Sequence, residues 1–212
     1  MTMTLAKPPR SARKAKGDGH LRRAEILHAA ELIFVRDGYQ GATIRKIAEE
    51  VGVSSTALYM HFRDKDEILL EICEGAVATL LASNNEISGR PIDAVSRVRL
   101  MLDAYMRFGL DNPNTYRLAF CSTPGQISAM RHEVAADLGA RCYDRFMRAV
   151  ADIAAEGRLR LGDADSAAHT LWAACHGLVS LRTGGQEKTD RADDEVLMAL
   201  MLDSLFEGIV ID

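Results

Sequence analysis

The sequence is poor in cysteine, proline and aromatic residues, and it has no long hydrophobic run. Its 212 residues include four cysteines, five prolines and 6% aromatic residues. No two cysteines lie close enough for a Cys-x-x-Cys clip, which disfavours a disulfide framework or a structural metal site. No apolar stretch approaches the roughly 20 residues of a transmembrane helix, and no apolar segment follows the basic N-terminus as in a secretory signal. We expect a soluble cytoplasmic protein without a membrane partner.

The sequence also lacks the short motifs of common enzymes. It contains no Gly-x-Ser-x-Gly elbow, no phosphate-binding loop and no His-Glu-x-x-His pair. We therefore expect no enzymatic activity, no catalytic residue, no cofactor and no bound metal. His132 and Cys142 could approach His169 and His176 in space, but nothing in the spacing requires a metal site.

Charge is distributed unevenly along the chain, although the net charge is only −4. Residues 1–66 contain 12 Lys and Arg against 8 Asp and Glu, so the remainder is strongly acidic. A basic N-terminal part on an acidic body is typical of a protein that meets a polyanion such as DNA. The alternative for residues 1–19 alone is a solvated, flexible arm.

Helical spacing of apolar residues predicts an all-α protein of about nine helices. The first helix begins at Leu21 and stops at Asp37-Gly38. Short helices follow, and the fourth is expected to end near Ser83. Later helices are predicted at 91–108 and 114–121. A long helix that ends near Glu156 follows, and the last two helices are predicted at 164–182 and 190–209. The predicted domains are a flexible basic arm (1–19), a helix-turn-helix domain (20–66) and a helical effector-binding and dimerisation domain (67–212).

The second and third helices have the spacing of a helix-turn-helix. Ala48 is the small residue where the two helices cross, Gly52 suits the left-handed turn, and Leu58 anchors the third helix. The free face of the third helix would enter the major groove, with phosphate contacts around it. The candidate DNA-binding residues are Thr43, Arg45, Ser54, Ser55, Thr56, Tyr59, His61 and Lys65. The alternative is that Thr43 and Ser54 serve only as helix caps, with Tyr59 and His61 plugging the small domain.

The stretch 23–68 resembles the DNA-binding domain of TetR-type repressors. The residues that carry the resemblance include Gly38-Tyr39, Thr43-Ile44-Arg45, Gly52-Val53-Ser54 and the run Leu58-Tyr59-Met60-His61-Phe62 with Lys65. Thr56 departs from the family, which often has glycine there. The resemblance implies a homodimer on a palindromic double-stranded operator, usually acting as a repressor that a small molecule releases.

The eighth helix is apolar almost all round, which requires burial on every side. The resemblance implies a dimer through the last two helices, and burial within one subunit is the alternative. Trp172, His176 and Gly177 resemble the Trp-x-x-x-His-Gly signature of one branch of the family. His169, Trp172 and His176 share one face, which could line a pocket or belong to the interface or core, and Gly177 would permit close helix packing.

The fifth to seventh helices are expected to line any effector cavity, again by resemblance. Methionines and aromatic residues on their inner stripes favour a small apolar or amphipathic effector. The main candidates are Tyr105, Met106, Tyr116, Phe120, Trp172 and His176, with Met101, Phe108 and Met130 as further lining residues. The same pattern is also typical of an ordinary core.

The leading prediction is a DNA-binding transcription regulator, repressing until an effector binds. Two alternatives remain: an architectural DNA binder without an effector, and a helical enzyme or carrier with a vestigial helix-turn-helix. An architectural binder would show little sequence preference, whereas a regulator prefers its operator by about 10³-fold or more.

Overall fold

The computed structural model describes residues 19–121, 129–160, 162–184 and 193–211, with the backbone alone for 129–136 and 138. Nine α-helices lie in these ranges, which confirms the predicted all-α class. They are α1 Gly19–Gly41, α2 Ile44–Val51, α3 Ser55–Tyr59, α4 Lys65–Ser88, α5 Ala94–Asp111, α6 Pro113–Phe120, α7 Ala129–Ala155, α8 Ala164–Thr183 and α9 Asp194–Ile209. The N-terminal arm lies outside the described residues up to residue 18.

Two further features bound the architecture of the described ranges. None of the helices there is long and apolar enough to span a bilayer. The β pairing within them is one isolated antiparallel bridge between Leu159 and Val210.

The chain divides into two compact units between Leu69 and Leu70. The boundary falls inside α4, so this one helix contributes residues to both units. Unit 1 holds α1 to α3, and unit 2 holds α5 to α9.

Local backbone chemistry sets the helix ends in unit 1. Gly38 leaves the helical region with φ 70° and ψ 167°, so the regular part of α1 stops at Asp37 as predicted. The Thr43 hydroxyl accepts from the Lys46 N–H and starts α2, and Gly52 ends it in the left-handed conformation. The Ser54 hydroxyl accepts from the Ala57 N–H and starts α3. Three caps within twelve residues therefore produce two short helices instead of one long one.

The core of unit 1 fixes the crossing of these short helices. Ala48 and Leu58 are buried, as the helix-turn-helix spacing predicted. They pack in a core with the inner face of α1. The buried α1 residues are Ile26, Ala29, Ala30, Ile33 and Phe34.

Several helix boundaries differ from the sequence prediction; α9, for example, begins at Asp194 and not at residue 190, with Asp193 as its cap. The fifth helix does not begin at Pro91, because Asp93 accepts a hydrogen bond from the Ser96 N–H at 3.1 Å and places the cap at residue 93. The fourth helix continues past Ser83 to Ser88, since buried Asn84 and Ile87 extend its packed face by another turn.

Helix α8 is central to unit 2 and packs against α5, α7 and α9. Ala168, Leu171, Cys175 and Val179 form its fully buried stripe. Gly109 of α5 faces this stripe at very close range: a Cβ there would lie well inside contact distance of Val179 Cγ1 and 2.8 Å from Tyr116 Cδ2. The absence of a side chain at Gly109 therefore lets α5 and α8 approach.

We expect Gly109→Ala to destabilise unit 2 by about 1–3 kcal/mol, because the new methyl overpacks a filled core. The matched control is Gly75→Ala, also within a helix, where an added Cβ meets nothing within 4 Å. That variant should be unchanged or more stable by about 0.5–1 kcal/mol, since alanine is the better helix former. Urea unfolding followed by circular dichroism measures both, and equal midpoints for the two variants would contradict the packing argument.

Candidate functional site

The predicted recognition helix α3 presents polar side chains to solvent. Thr56 is exposed and Ser55 is half-buried. Tyr59 is 56% exposed, a large value for an aromatic residue at the end of a helix whose neighbour Leu58 is buried. Tyr59 is therefore not an aromatic plug of the small domain. An exposed tyrosine can offer both ring and hydroxyl to a nucleic acid.

The two capping residues are exposed at the ends of their helices. Thr43 Oγ1 accepts from Lys46 N at 3.2 Å, and Ser54 Oγ accepts from Ala57 N at 3.1 Å. Each hydroxyl retains its own proton, which can be donated to a phosphate oxygen. A capping role and a phosphate contact are thus compatible at both positions.

The exposed cations of α2 are held by neighbouring carboxylates. Arg45 donates to Glu49 at 2.9 Å, one turn along the helix. Lys46 donates to Asp37 at 2.6 Å and to the Gly41 carbonyl at 2.8 Å. Hydrogen bonds from Arg36 and Lys46 lower the pKa of Asp37 to about 2, so this carboxylate stays ionised. A phosphate at this surface would compete with Glu49 for Arg45.

Lys65 has a structural role that the sequence did not indicate. Its ammonium donates to the carbonyls of Tyr39 at 2.7 Å and Ala42 at 3.2 Å, and it lies 4.1 Å from the centre of the Tyr39 ring. Partial burial lowers the pKa of Lys65. Lys65 therefore ties the start of α4 to the segment between α1 and α2.

His61 has a comparable supporting role through its backbone. Its carbonyl accepts from Arg23 Nη1 at 2.5 Å, and the Arg23 guanidinium stacks 4.0 Å above the Phe62 ring. The His61 side chain is half-buried. This arrangement fixes the segment after α3 against α1.

Unit 2 contains an apolar cavity of about 340 Å³. Its walls come from α4, α5, α6, α7 and α8. The lining residues are Leu80, Asn84, Met101, Leu102, Tyr105, Phe120, Gly139, Cys142, Tyr143, Phe146, His169 and Trp172. The volume is at the lower end of the range for small-molecule sites.

Three of the six main effector candidates line this cavity: Tyr105, Phe120 and Trp172. Met106 is fully buried in the core and does not line it. Met101 lines the cavity, Phe108 does not, and the side chains of Met130 and His132 lie outside the described residues.

Tyr116 and His176 stand behind the lining and hold Tyr105. The Tyr105 hydroxyl lies 2.9 Å from the Tyr116 hydroxyl and 2.9 Å from His176 Nδ1, and Tyr116 lies 2.6 Å from the same nitrogen. Burial lowers the pKa of His176, which keeps the imidazole neutral, and raises the pKa of Tyr116 to about 12. His176 also stacks on Trp172 with ring centres 5.1 Å apart. The network positions two lining residues at once.

Four polar or polarisable lining residues were missed as effector contacts. Asn84 and Cys142 are brought together by α4 and α7, with Asn84 Nδ2 4.0 Å from the sulfur. Tyr143 and His169 meet across α7 and α8, with 2.7 Å between the hydroxyl and Nδ1. His169 had been placed on the Trp172 face by spacing, but the other three gave no signal because their partners are distant in the chain. No group of three or more metal-ligating side chains occurs in the described part of the chain.

A capped helix-turn-helix with an exposed third helix, joined to a helical unit with a cavity, defines a DNA-binding transcription regulator. The model of bacterial regulatory proteins of the tetR family matches residues 26–72, and that of the tetracyclin repressor-like C-terminal domain matches residues 98–205. The chain belongs to the TetR family of transcription regulators. This membership confirms the predictions of DNA binding and of a non-enzymatic protein.

Relatives in sequence include regulators with different roles. The nucleoid occlusion factor SlmA of Alteromonas mediterranea is 31% identical over 147 residues, which is 69% of this chain and 73% of that protein. The transcriptional activator FasR of Mycolicibacterium smegmatis is 33% identical over 99 residues, covering 47% of this chain and 45% of FasR.

Solved structures share the fold at lower identity. A regulatory protein of the tetR family from Rhodococcus RHA1 matches with a TM-score of 0.78 and 21% identity, over 90% of this chain and 98% of that one. The ketosteroid regulator KstR2 of Mycobacterium tuberculosis matches with a TM-score of 0.76 and 20% identity, over 90% and 96%.

The contacts of Lys65 and Arg45 predict opposite phenotypes. Lys65→Met should destabilise unit 1 by about 1–3 kcal/mol, since two carbonyls lose a charged donor. Arg45→Met removes an exposed side chain and should leave stability within about 0.5 kcal/mol, while DNA affinity falls because one cation is lost. Thermal unfolding and DNA titration of both variants test this, and a fully stable Lys65→Met would contradict the assigned role.

Proposed function

We propose that this protein is a homodimeric repressor that leaves its operator when a small, largely apolar molecule occupies the cavity of unit 2. The observation that carries the effector part is the cavity itself, an apolar space of about 340 Å³ among the helices of unit 2. An apolar ligand would gain packing contacts with these side chains and be removed from water.

The DNA contacts are proposed on the exposure of the α2–α3 surface. Thr43, Arg45, Ser54 and Lys65 are assigned to phosphates, with Lys65 using the proton that its two carbonyl bonds leave. Ser55, Thr56 and Tyr59 are assigned to base edges, with His61 at the rim. Thr56, in place of glycine, adds a methyl that can contact a thymine methyl.

The dimer is proposed through exposed faces of α8 and α9. On α8, Ala173, Gly177 and Leu181 recur every four residues, and Leu181 is exposed. On α9, Val196 and Leu200 are exposed in the same way. A Cβ added to Gly177 would meet nothing within 4 Å. Small residues among exposed large ones suit close packing against a partner helix.

The release mechanism follows from the continuity of α4. Its first residues belong to unit 1, and its later residues Leu80 and Asn84 line the cavity. In a dimer, two recognition helices must be spaced by about 34 Å or a multiple of it to read successive major grooves. A ligand that moves α4 would change that spacing and weaken operator binding.

One alternative has a specific observation behind it. Relatives about 30% identical over 142 residues are nucleoid occlusion factors, which favours a chromosome-associated role in which effector release is absent. Such a protein would bind many sites with affinity dominated by phosphates.

Titration of the purified protein against fluorescent fragments of its own upstream DNA tests the regulator. We expect one fragment to bind about 10³-fold more tightly than a scrambled copy. Tyr59→Ala should weaken that binding by about tenfold or more. Tyr59→Phe removes only the hydroxyl, so its affinity shows how much of the effect comes from the hydroxyl and how much from the ring. If all fragments bind equally well at each salt concentration, and this common affinity falls steeply as salt rises, the chromosome-associated alternative is favoured.

The proposed interface predicts that Leu200→Glu and Leu181→Glu produce monomers, because each places an unpaired carboxylate in an apolar contact. Leu32→Glu is the control, a comparably apolar residue that is 40% exposed on α1. Sedimentation equilibrium measures the mass of each variant. Dimers that persist in both interface variants would place the interface elsewhere.

A further inference from the structure

Asn84 is a buried polar side chain in an apolar cavity. It is 7% exposed, and Asn84 and Thr183 are the buried polar residues among the described side chains. Thr183 satisfies its hydroxyl within its own helix by donating to the Val179 carbonyl at 2.8 Å. Asn84 has no such bond.

The carboxamide of Asn84 is left nearly unpartnered. Within the described residues, its side chain makes one weak contact, from Nδ2 to Cys142 Sγ at 4.0 Å. A carboxamide carries two N–H donors and one acceptor oxygen with two lone pairs. The amide oxygen is accessible from the cavity, and hydrogen bonds that a ligand supplies to this carboxamide in apolar surroundings would favour binding.

The rest of the described lining has no carboxylate, and His169 is its one basic side chain. No lysine or arginine lines the cavity among the side chains that the structure describes. Met101, Leu102 and Phe146 are buried around it. An ionised carboxylate would be partly desolvated there with no lysine or arginine to pair with, and His169 is already hydrogen-bonded to the Tyr143 hydroxyl.

We propose that the cavity takes an uncharged, largely apolar molecule whose one polar group both donates and accepts hydrogen bonds, as a primary amide does, and that Asn84 recognises this group. The inference rests on the proposed effector function of the cavity and adds the chemical class of its ligand. A volume of about 340 Å³ holds about eleven groups of the size of a water molecule. Nonanamide has this size and chemistry, and nonanoate is its charged isostere.

Trp172 provides a direct readout, since it is the one tryptophan of the chain and lines the cavity. The wild-type protein is titrated at pH 8 with nonanamide and with nonanoate while Trp172 fluorescence is recorded. We expect saturable binding of nonanamide and at least about tenfold weaker binding of nonanoate. Equal affinities, or no response to nonanamide, would overturn the inference.

Substitutions of Asn84 test whether its side-chain amide recognises the ligand. Asn84→Leu should weaken nonanamide binding about tenfold, because the hydrogen bonds to the ligand are lost. Asn85→Leu is the matched control, an exposed asparagine one residue along α4, and should bind as the wild type does. Asn84→Ser, which keeps one hydroxyl, should fall between the two and serves if the leucine variant does not fold. Wild-type affinity in both Asn84 variants would overturn the inference.

Operator binding is measured on the same samples. Intact operator binding with no Trp172 response to nonanamide would overturn the proposed ligand class but remain consistent with a transcription regulator. A selective Trp172 response without any operator binding would support the ligand class and remove the proposed regulatory function.

Discussion

The contact between α5 and α8 at Gly109 is the constraint on which unit 2 depends. Because Gly109 has no side chain, Val179 and Tyr116 fill the space beside it. Tyr116 thereby reaches the Tyr105 hydroxyl and His176, and Tyr105 lines the cavity. The close packing at Gly109 therefore positions Tyr116, and the hydrogen bonds of Tyr116 position a residue of the cavity wall.

Helix α8 uses its faces for different purposes. Its buried stripe forms the core, and His169 and Trp172 line the cavity. Ala173, Gly177 and Leu181 leave a third face uncovered. The core stripe and the cavity face explain only part of the apolar surface of α8. The third face has no cover within the described residues of this chain. The proposed partner helix would cover the remainder.

Unit 1 differs from unit 2, since it has a small core and relies on hydrogen bonds from charged side chains. Lys65 and Arg23 use their charges on backbone carbonyls, at Tyr39 and His61 respectively. These bonds hold the segments that flank α2 and α3, and so they orient the exposed hydroxyls of the surface. A cation near a DNA-binding face can therefore have a structural role in addition to any phosphate contact.

The sequence by itself determined the helix-turn-helix, because its signals are local: Thr43 and Ser54 cap within three residues, Gly52 turns, and Ala48 and Leu58 follow the helical period. It also determined the class, the family resemblance and most helix bounds. Only the tertiary structure decided the cavity. Asn84 pairs with Cys142 over 58 residues and Tyr143 with His169 over 26. Met101 and Met106 are both buried, but only Met101 of the two lines the cavity. Spacing places a residue on a helix face, but only packing decides whether that face meets another helix or an open space.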